Sequence, residues 1–164
     1  MKRMWILLAA AVVAGCGTFR SGLVLDPVGP APGEPEPGGS TNGVLVVYSA
    51  YDGSANSDQR DAYRPVHSDY RILTANGAGP RVVHNDSGTI LQEPARVSLP
   101  EGRYQVVARA NGYGTVTVPV VIEGRRTTVV HLAGGSWPNM AAVSRTNVVR
   151  SPDGGIVGWR AASP

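Results

Sequence analysis

The stretch RYQVVARANGYGTVTVPVVIEGRRTTVVHL, residues Arg103 to Leu132, decides the fold class. Its apolar residues recur at every second position: Tyr104, Val106, Ala108 and Ala110 share one face, and Val116, Val118, Val120 and Ile122 share a face of the next run. A period of two is that of a half-buried β-strand. Asn111-Gly112 interrupts the alternation, so the two runs predict a hairpin. The loop Glu123-Gly124-Arg125-Arg126 then leads to a further strand with Thr128, Val130 and Leu132 on one face. Pro119 has no N–H to offer a neighbour, which places its strand at a sheet edge or a bulge.

Residues 43–133 carry short valine-, threonine- and tyrosine-rich runs separated by turn residues, and none keeps a helical period. That spacing predicts an all-β sandwich or barrel. Val44 to Tyr51 is apolar on both faces, as in a strand covered on both sides. Tyr70 with Ile72, Arg81 to His84, and Val97 with Leu99 mark further strands. In residues 134–164, Val148 to Arg150 and Gly155 to Trp159 flank a Pro152-Asp153-Gly154 reversal and predict a C-terminal hairpin. An isolated hairpin is barely stable, so this one is expected to dock beside an edge of the sandwich. Pro138 to Ser144 reads as one or two helical turns.

Leu99-Pro100-Glu101-Gly102-Arg103-Tyr104-Gln105-Val106, followed by Gly112-Tyr113, resembles the PEGA and carboxypeptidase regulatory-like domains of bacterial surface proteins. The resemblance covers residues 97–132 and implies a small immunoglobulin- or transthyretin-like β-sandwich, with Pro100, Gly102, Tyr104, Gly112 and Tyr113 as its structural motif. Those families share no catalytic residues. The polar stretch from Asp52 to His67 departs from their pattern, which has a short connection there.

The amino terminus carries a second signal. Lys2 and Arg3 precede an apolar segment from Trp5 to Ala14, and Val13-Ala14-Gly15-Cys16 closes it with the one cysteine of the chain. The segment falls short of the roughly 20 apolar residues that span a bilayer. It has the layout of a signal peptide over residues 1–15. The run resembles a bacterial lipobox, which implies that Cys16 is acylated and becomes the first residue of the mature chain. Residues 16–42, with Pro27, Pro30, Pro32, Pro35 and Pro37, read as a disordered Pro/Gly-rich tether. Its residues 17–42 would average roughly 30 Å end to end if flexible. Gly17 after the cysteine, rather than aspartate, favours the outer membrane by analogy with known sorting, if the source has two membranes.

Charge excludes one class of partner. The chain has 15 cations against 12 anions, and loss of residues 1–15 removes Lys2 and Arg3, leaving 13 against 12. The remaining arginines are scattered, so nucleic acid is not an expected partner. One cysteine allows no intrachain disulfide, and a mature chain without lysine forms no lysine isopeptide crosslink.

Sequence patterns for chemistry are sparse. There is no Gly-x-Ser-x-Gly elbow, no His-Glu-x-x-His and no paired cysteine, so neither a cofactor nor a metal is expected. His67, His84 and His131 lie in different elements and read as surface or turn residues, with His131 on the face opposite Val130 and Leu132. Asp52 to Asp58 places oxygen side chains at every second position, as calcium ligands are spaced, but Ser57 and Tyr63 stand where an EF-hand loop needs glycine and glutamate, so it reads as a solvated loop. Tyr51 and Tyr63, with Asp52 and Asp58, are the candidate ligand contacts, since exposed rings stack on sugar faces. Tyr70, Tyr113, Trp137 and Trp159 join the aromatic set, whose other reading is core and rim packing.

These readings converge on a lipid-anchored, non-catalytic cell-envelope module. Its partners are the membrane, through the anchor, and an envelope protein or glycan. The alternatives are a cell-wall glycan hydrolase drawing two carboxylates from Asp52, Asp58, Asp61 or Glu93, and a purely structural spacer.

Overall fold

The alternating runs pair as their period requires. The computed structural model describes residues 22–35, 37, 41–52, 66–75, 79–86, 93–135 and 145–162. Cys16, Asp58, Asp61, Tyr63, Trp137 and the turns expected at 138–144 lie outside these residues. The strands are β1 (Leu23–Val24), β2 (Val28–Gly29), β3 (Gly43–Tyr48), β4 (Tyr51–Asp52), β5 (Val66–His67), β6 (Tyr70–Thr74) and β7 (Arg81–Val83). They continue with β8 (Arg96–Leu99), β9 (Gly102–Ala110), β10 (Gly114–Ile122), β11 (Thr127–His131), β12 (Val148–Arg150) and β13 (Ile156–Arg160).

The fold is an all-β sandwich. An eight-stranded sheet runs β12-β13-β2-β10-β9-β6-β7, with β1 also paired to β10. It faces a three-stranded sheet, β11-β3-β8, and β4 and β5 form a two-stranded ladder of their own. The β9–β10 hairpin pairs continuously from Gly102↔Ile122 to Gly114↔Ala110. Gly112 turns it at φ +82°, a conformation in which a Cβ would be strained. The chain after Arg126 leaves this sheet, and β11 pairs in parallel with β3 in the other. The core lies between the sheets, with Val28, Leu45, Val47, Val106, Val118 and Val130 fully buried. Each such valine contributes about 1.5–3 kcal/mol relative to exposure.

Two expectations need correction. Residues 22–35 do not hang free as a tether. β1 and β2 pair in parallel with β10, and Leu25 and Val28 enter the core cluster. Leu25 and Val28 are buried, and the proline-biased segment is already extended, so their burial offsets a reduced entropy of ordering. Pro30 bridges Thr128 of β11, and Arg126 Nη2 donates to Ala31 O at 2.6 Å and to Gly33 O at 3.2 Å, so the segment also ties one sheet to the other.

Pro119 is likewise not at an outer edge. β10 has neighbours on both sides, and Pro119 lies opposite Gln105 of β9. Thr117 O accepts from Leu25 N at 3.0 Å, so the peptide groups of residues 117 and 119, which point the same way, face the amino-terminal segment. The neighbour strand is broken there, between the Val24↔Thr117 and Val28↔Val120 pairs. A proline in a central strand is tolerated because the facing strand is interrupted beside it.

The C-terminal hairpin is present and docked. β13 pairs antiparallel with β2, at Trp159↔Gly29 and Arg160↔Val28, so the tail joins the segment read as a tether. Arg160 Nη1 bonds Asp26 Oδ2 at 2.9 Å across the same junction. Gly158 makes the approach possible, since a Cβ there would lie 2.5 Å from Val28 Cγ1 and 2.8 Å from Val129 O.

Candidate binding site

The site begins at a corner in the chain. β3 ends at Tyr48, whose carbonyl accepts from Leu132 N (2.7 Å) in its own sheet, while Ala50 N donates to Arg109 O (2.8 Å) in the opposite one. Ser49, between them, is the crossing point and is fully buried. Asn111 N donates to Leu132 O (2.8 Å), closing this end of the sandwich from the other direction.

Burying a serine at such a corner requires partners for its polar groups. Ser49 Oγ donates to Ser68 O at 2.6 Å and accepts from Asn85 Nδ2 at 3.0 Å. The same Asn85 amide donates to Val47 O (2.8 Å), and Asn85 Oδ1 accepts from Ala95 N (3.0 Å). One asparagine thus pins three chain segments, including the connections on either side of the undescribed residues 87–92.

On this fixed corner stands a cluster of rings. His67 is 3% exposed, and its Nδ1 lies 2.6 Å from Ser49 O. A carbonyl only accepts, so Nδ1 carries a proton and donates it to Ser49 O. Tyr51 stacks on the imidazole at 4.6 Å and 20°, and Tyr48 meets its edge at 5.6 Å. Tyr48 also packs on His131 at 5.2 Å. Burial holds the His131 pKa below its ordinary value, and the nearby His67 ring pushes it the same way. Tyr51 is exposed, while Tyr48 and His131 are half-buried, so the cluster presents an aromatic surface to solvent.

His131 also lines an adjoining cleft. Its walls are apolar, with Leu25, Val116 and Val157, and Tyr113 and Asp153 add polar groups. Asp153 accepts from Ser151 Oγ and, at 3.2 Å, from Gly155 N, and these bonds hold its carboxyl below the usual range. Partial desolvation, followed by the Asp153 charge and a hydrogen bond to it, raises the Tyr113 hydroxyl pKa.

The sequence-derived candidates separate into two groups. Tyr51, Gly112 and Tyr113 lie at this corner or cleft, and Asp52 follows Tyr51 in β4. Pro100, Gly102 and Tyr104 are at the other end of the β9–β10 hairpin, where Tyr104 Oη donates to Pro100 O at 3.1 Å and the ring packs on the core. Tyr70, another of the aromatic set, is 2% exposed and belongs to the core.

The histidines also need correction. Alternation does put His131 on the face opposite Val130, but Tyr48 covers it halfway. His67 is buried rather than at the surface because two tyrosine rings and the Ser49 carbonyl enclose it. Only His84 is an exposed histidine, 3.0 Å from Asp69. The signal missed in the sequence is Ser49-Ala50, a pair of small residues that ends an apolar run and lets the chain turn between sheets.

Among the described residues no group of three or more histidine, cysteine, aspartate or glutamate side chains is placed to hold a metal ion. What the corner offers is stacking area and phenol groups beside an apolar cleft, which suit binding of a planar or sugar-like face. Comparisons with protein-family models, curated proteins and solved structures gave no match. The resemblance of residues 97–132 to PEGA-type domains therefore rests on its motif alone.

Proposed function

We propose that this chain is an exported lipoprotein, acylated at Cys16, that works as a non-catalytic envelope module and binds another envelope component or serves as an accessory subunit of a surface complex. The observation that carries the reading is the order of Lys2-Arg3, the apolar run from Trp5 to Ala14, and Val13-Ala14-Gly15-Cys16. The Tyr48, Tyr51 and His131 surface supports the binding part, because half-exposed rings on a rigid corner make a contact with little entropy left to lose.

The fold changes how the anchor acts. With β1 starting at Leu23, the leash from Cys16 to Gly22 reaches at most about 20 Å, so the sandwich stays beside the bilayer. More than one acyl chain makes such anchoring effectively permanent.

Mass spectrometry of the amino-terminal peptide tests the anchor: an acylated Cys16 is expected, and an unmodified thiol or a different first residue overturns it. Cys16→Ser should move the protein into the soluble fraction at high salt, where electrostatic contacts with the membrane are screened. Crosslinking in intact cells tests the binding surface. A defined partner should be captured, and Tyr51→Ala should weaken the capture while the circular dichroism of the fold is retained. Absence of any partner would leave a spacer.

A further inference from the structure

The outer face of the eight-stranded sheet has a composition that its register makes visible. One row crosses five strands, from Val82 through Arg71, Val107 and Thr117 to Val24. Val82 and Val24, at its two ends, are 66% and 64% exposed, and Arg71 is exposed between them. Along β9, Arg103 and Arg109 alternate on the same face with Gln105 and Val107, and both arginines are exposed. Asp69 lies on this face beside Arg71 and Arg109, and its carboxylate already holds His84 at 3.0 Å. The face therefore combines a positive balance with uncovered valines.

We infer that this face is the surface laid against the membrane, where its arginines take the phosphates of anionic phospholipid headgroups and its valines reach the interfacial layer; the inference rests on the lipid anchor proposed above. Two observations select a lipid surface over other occupants. The first is charge: a guanidinium fork matches a phosphate, and its methylene stem can lie along neighbouring valines while the head stays at the headgroups. The second is the path of the chain. β1, the first strand among the described residues, belongs to this sheet, and Val24 is on this very face. Six residue steps separate Cys16 from Gly22, so the sheet cannot be carried more than about 20 Å from an anchored cysteine. The exposed face of the other sheet carries Arg96 with Ser98 on β8, leaving the Tyr48 and His131 corner at an end of the sandwich where a partner can reach it.

The test uses the mature chain with Cys16→Ser, so that acylation plays no part in the readout. Co-sedimentation with vesicles containing phosphatidylglycerol should show binding that pure phosphatidylcholine vesicles do not give and that falls as salt rises. Arg71→Glu with Arg103→Glu should reduce the vesicle partition coefficient by about 25-fold or more, taking roughly five-fold per lost cation. Arg96→Glu should leave it unchanged, and Arg71→Gln with Arg103→Gln, milder at the fold level, should give an intermediate loss. Equal binding to both vesicle types, or equal loss in the double and Arg96 variants, overturns the inference. So does self-association of the chain that the double reversal abolishes, which would assign the face to a second copy. Failure here leaves an acylated Cys16 peptide standing, whereas an unmodified Cys16 with intact vesicle binding removes the anchor and keeps the face.

Discussion

Two hairpins with similar sequence signatures hold very different positions in this molecule. β9–β10 pairs over its whole length from Gly102↔Ile122 to Gly114↔Ala110 and is the centre of the larger sheet. β12–β13 shifts register between Val149 and Arg150 and joins the sandwich through β13 against the short strand β2. The first is stabilised by its own alternating valines. The second depends on a segment more than a hundred residues away in sequence, and on the absence of a side chain at Gly158. A turn and two strands can be written locally, but what covers them is a matter of distant chain.

Gly158→Val attacks the weaker of the two most directly. Its side chain would meet Val28 and the Val129 carbonyl, and a loss of about 3 kcal/mol is expected from overpacking against backbone. Chemical denaturation would measure it, and a loss under a third of that would mean the tail is loosely held. If β12–β13 is cooperative with the sandwich, a single transition shifts; if not, an early partial transition separates from the rest.

Val28→Ala approaches the same contact from the other side. Val28 is fully buried, so about 2 kcal/mol should be lost, while Val24→Ala at an exposed position should change stability by less than about 0.5 kcal/mol. Equal, small effects at both would return residues 22–35 to the role of a tether.

Tyr70, on the strand that flanks β9, gives a change of opposite sign. Its hydroxyl is buried without a hydrogen-bond partner among the described residues, and burial raises its pKa well above the usual tyrosine range. Tyr70→Phe removes an unsatisfied polar group and should add about 1 kcal/mol. A loss on the same scale would show that the hydroxyl is satisfied.

The smallest effect concerns His131, which lines the cleft shared by the Asn111 turn and the Ser151 to Gly155 turn. Its folded pKa is below the unfolded value near 6.5, so the unfolded chain binds more protons as pH falls. Stability contributed by the neutral ring is complete above about pH 6.5 and declines as pH drops towards the folded pKa. Urea midpoints followed through that window should slope downward with acid, and His131→Gln should flatten the slope. An unchanged slope in the variant would assign the titration elsewhere.

Much of the fold was legible because alternation is a local property. The strands from Arg96 to His131, the reversal at Asn111-Gly112 and the C-terminal Pro152-Asp153-Gly154 turn all follow from spacing within a few residues. The amino-terminal strands were misread because proline density there outweighed Leu25 and Val28, whose value depends on the groove they fill. Of the candidate site, Tyr51 and Tyr113 could be picked from the sequence as aromatic residues near turns. His67, His131, Ser49 and Asn85 could not, because nothing in a histidine or an asparagine announces which distant carbonyl it will meet.

By itself the amino-acid sequence determined the all-β class and the two hairpins, since each is written in short-range periodicity and turn chemistry. The tertiary structure alone decided that β11 runs parallel to β3, that β2 and β13 meet, and that two tyrosine rings gather around His67. Parallel pairing, burial and ring contacts join residues far apart in the chain. Their energies are set by what lies across the gap, which no local pattern records.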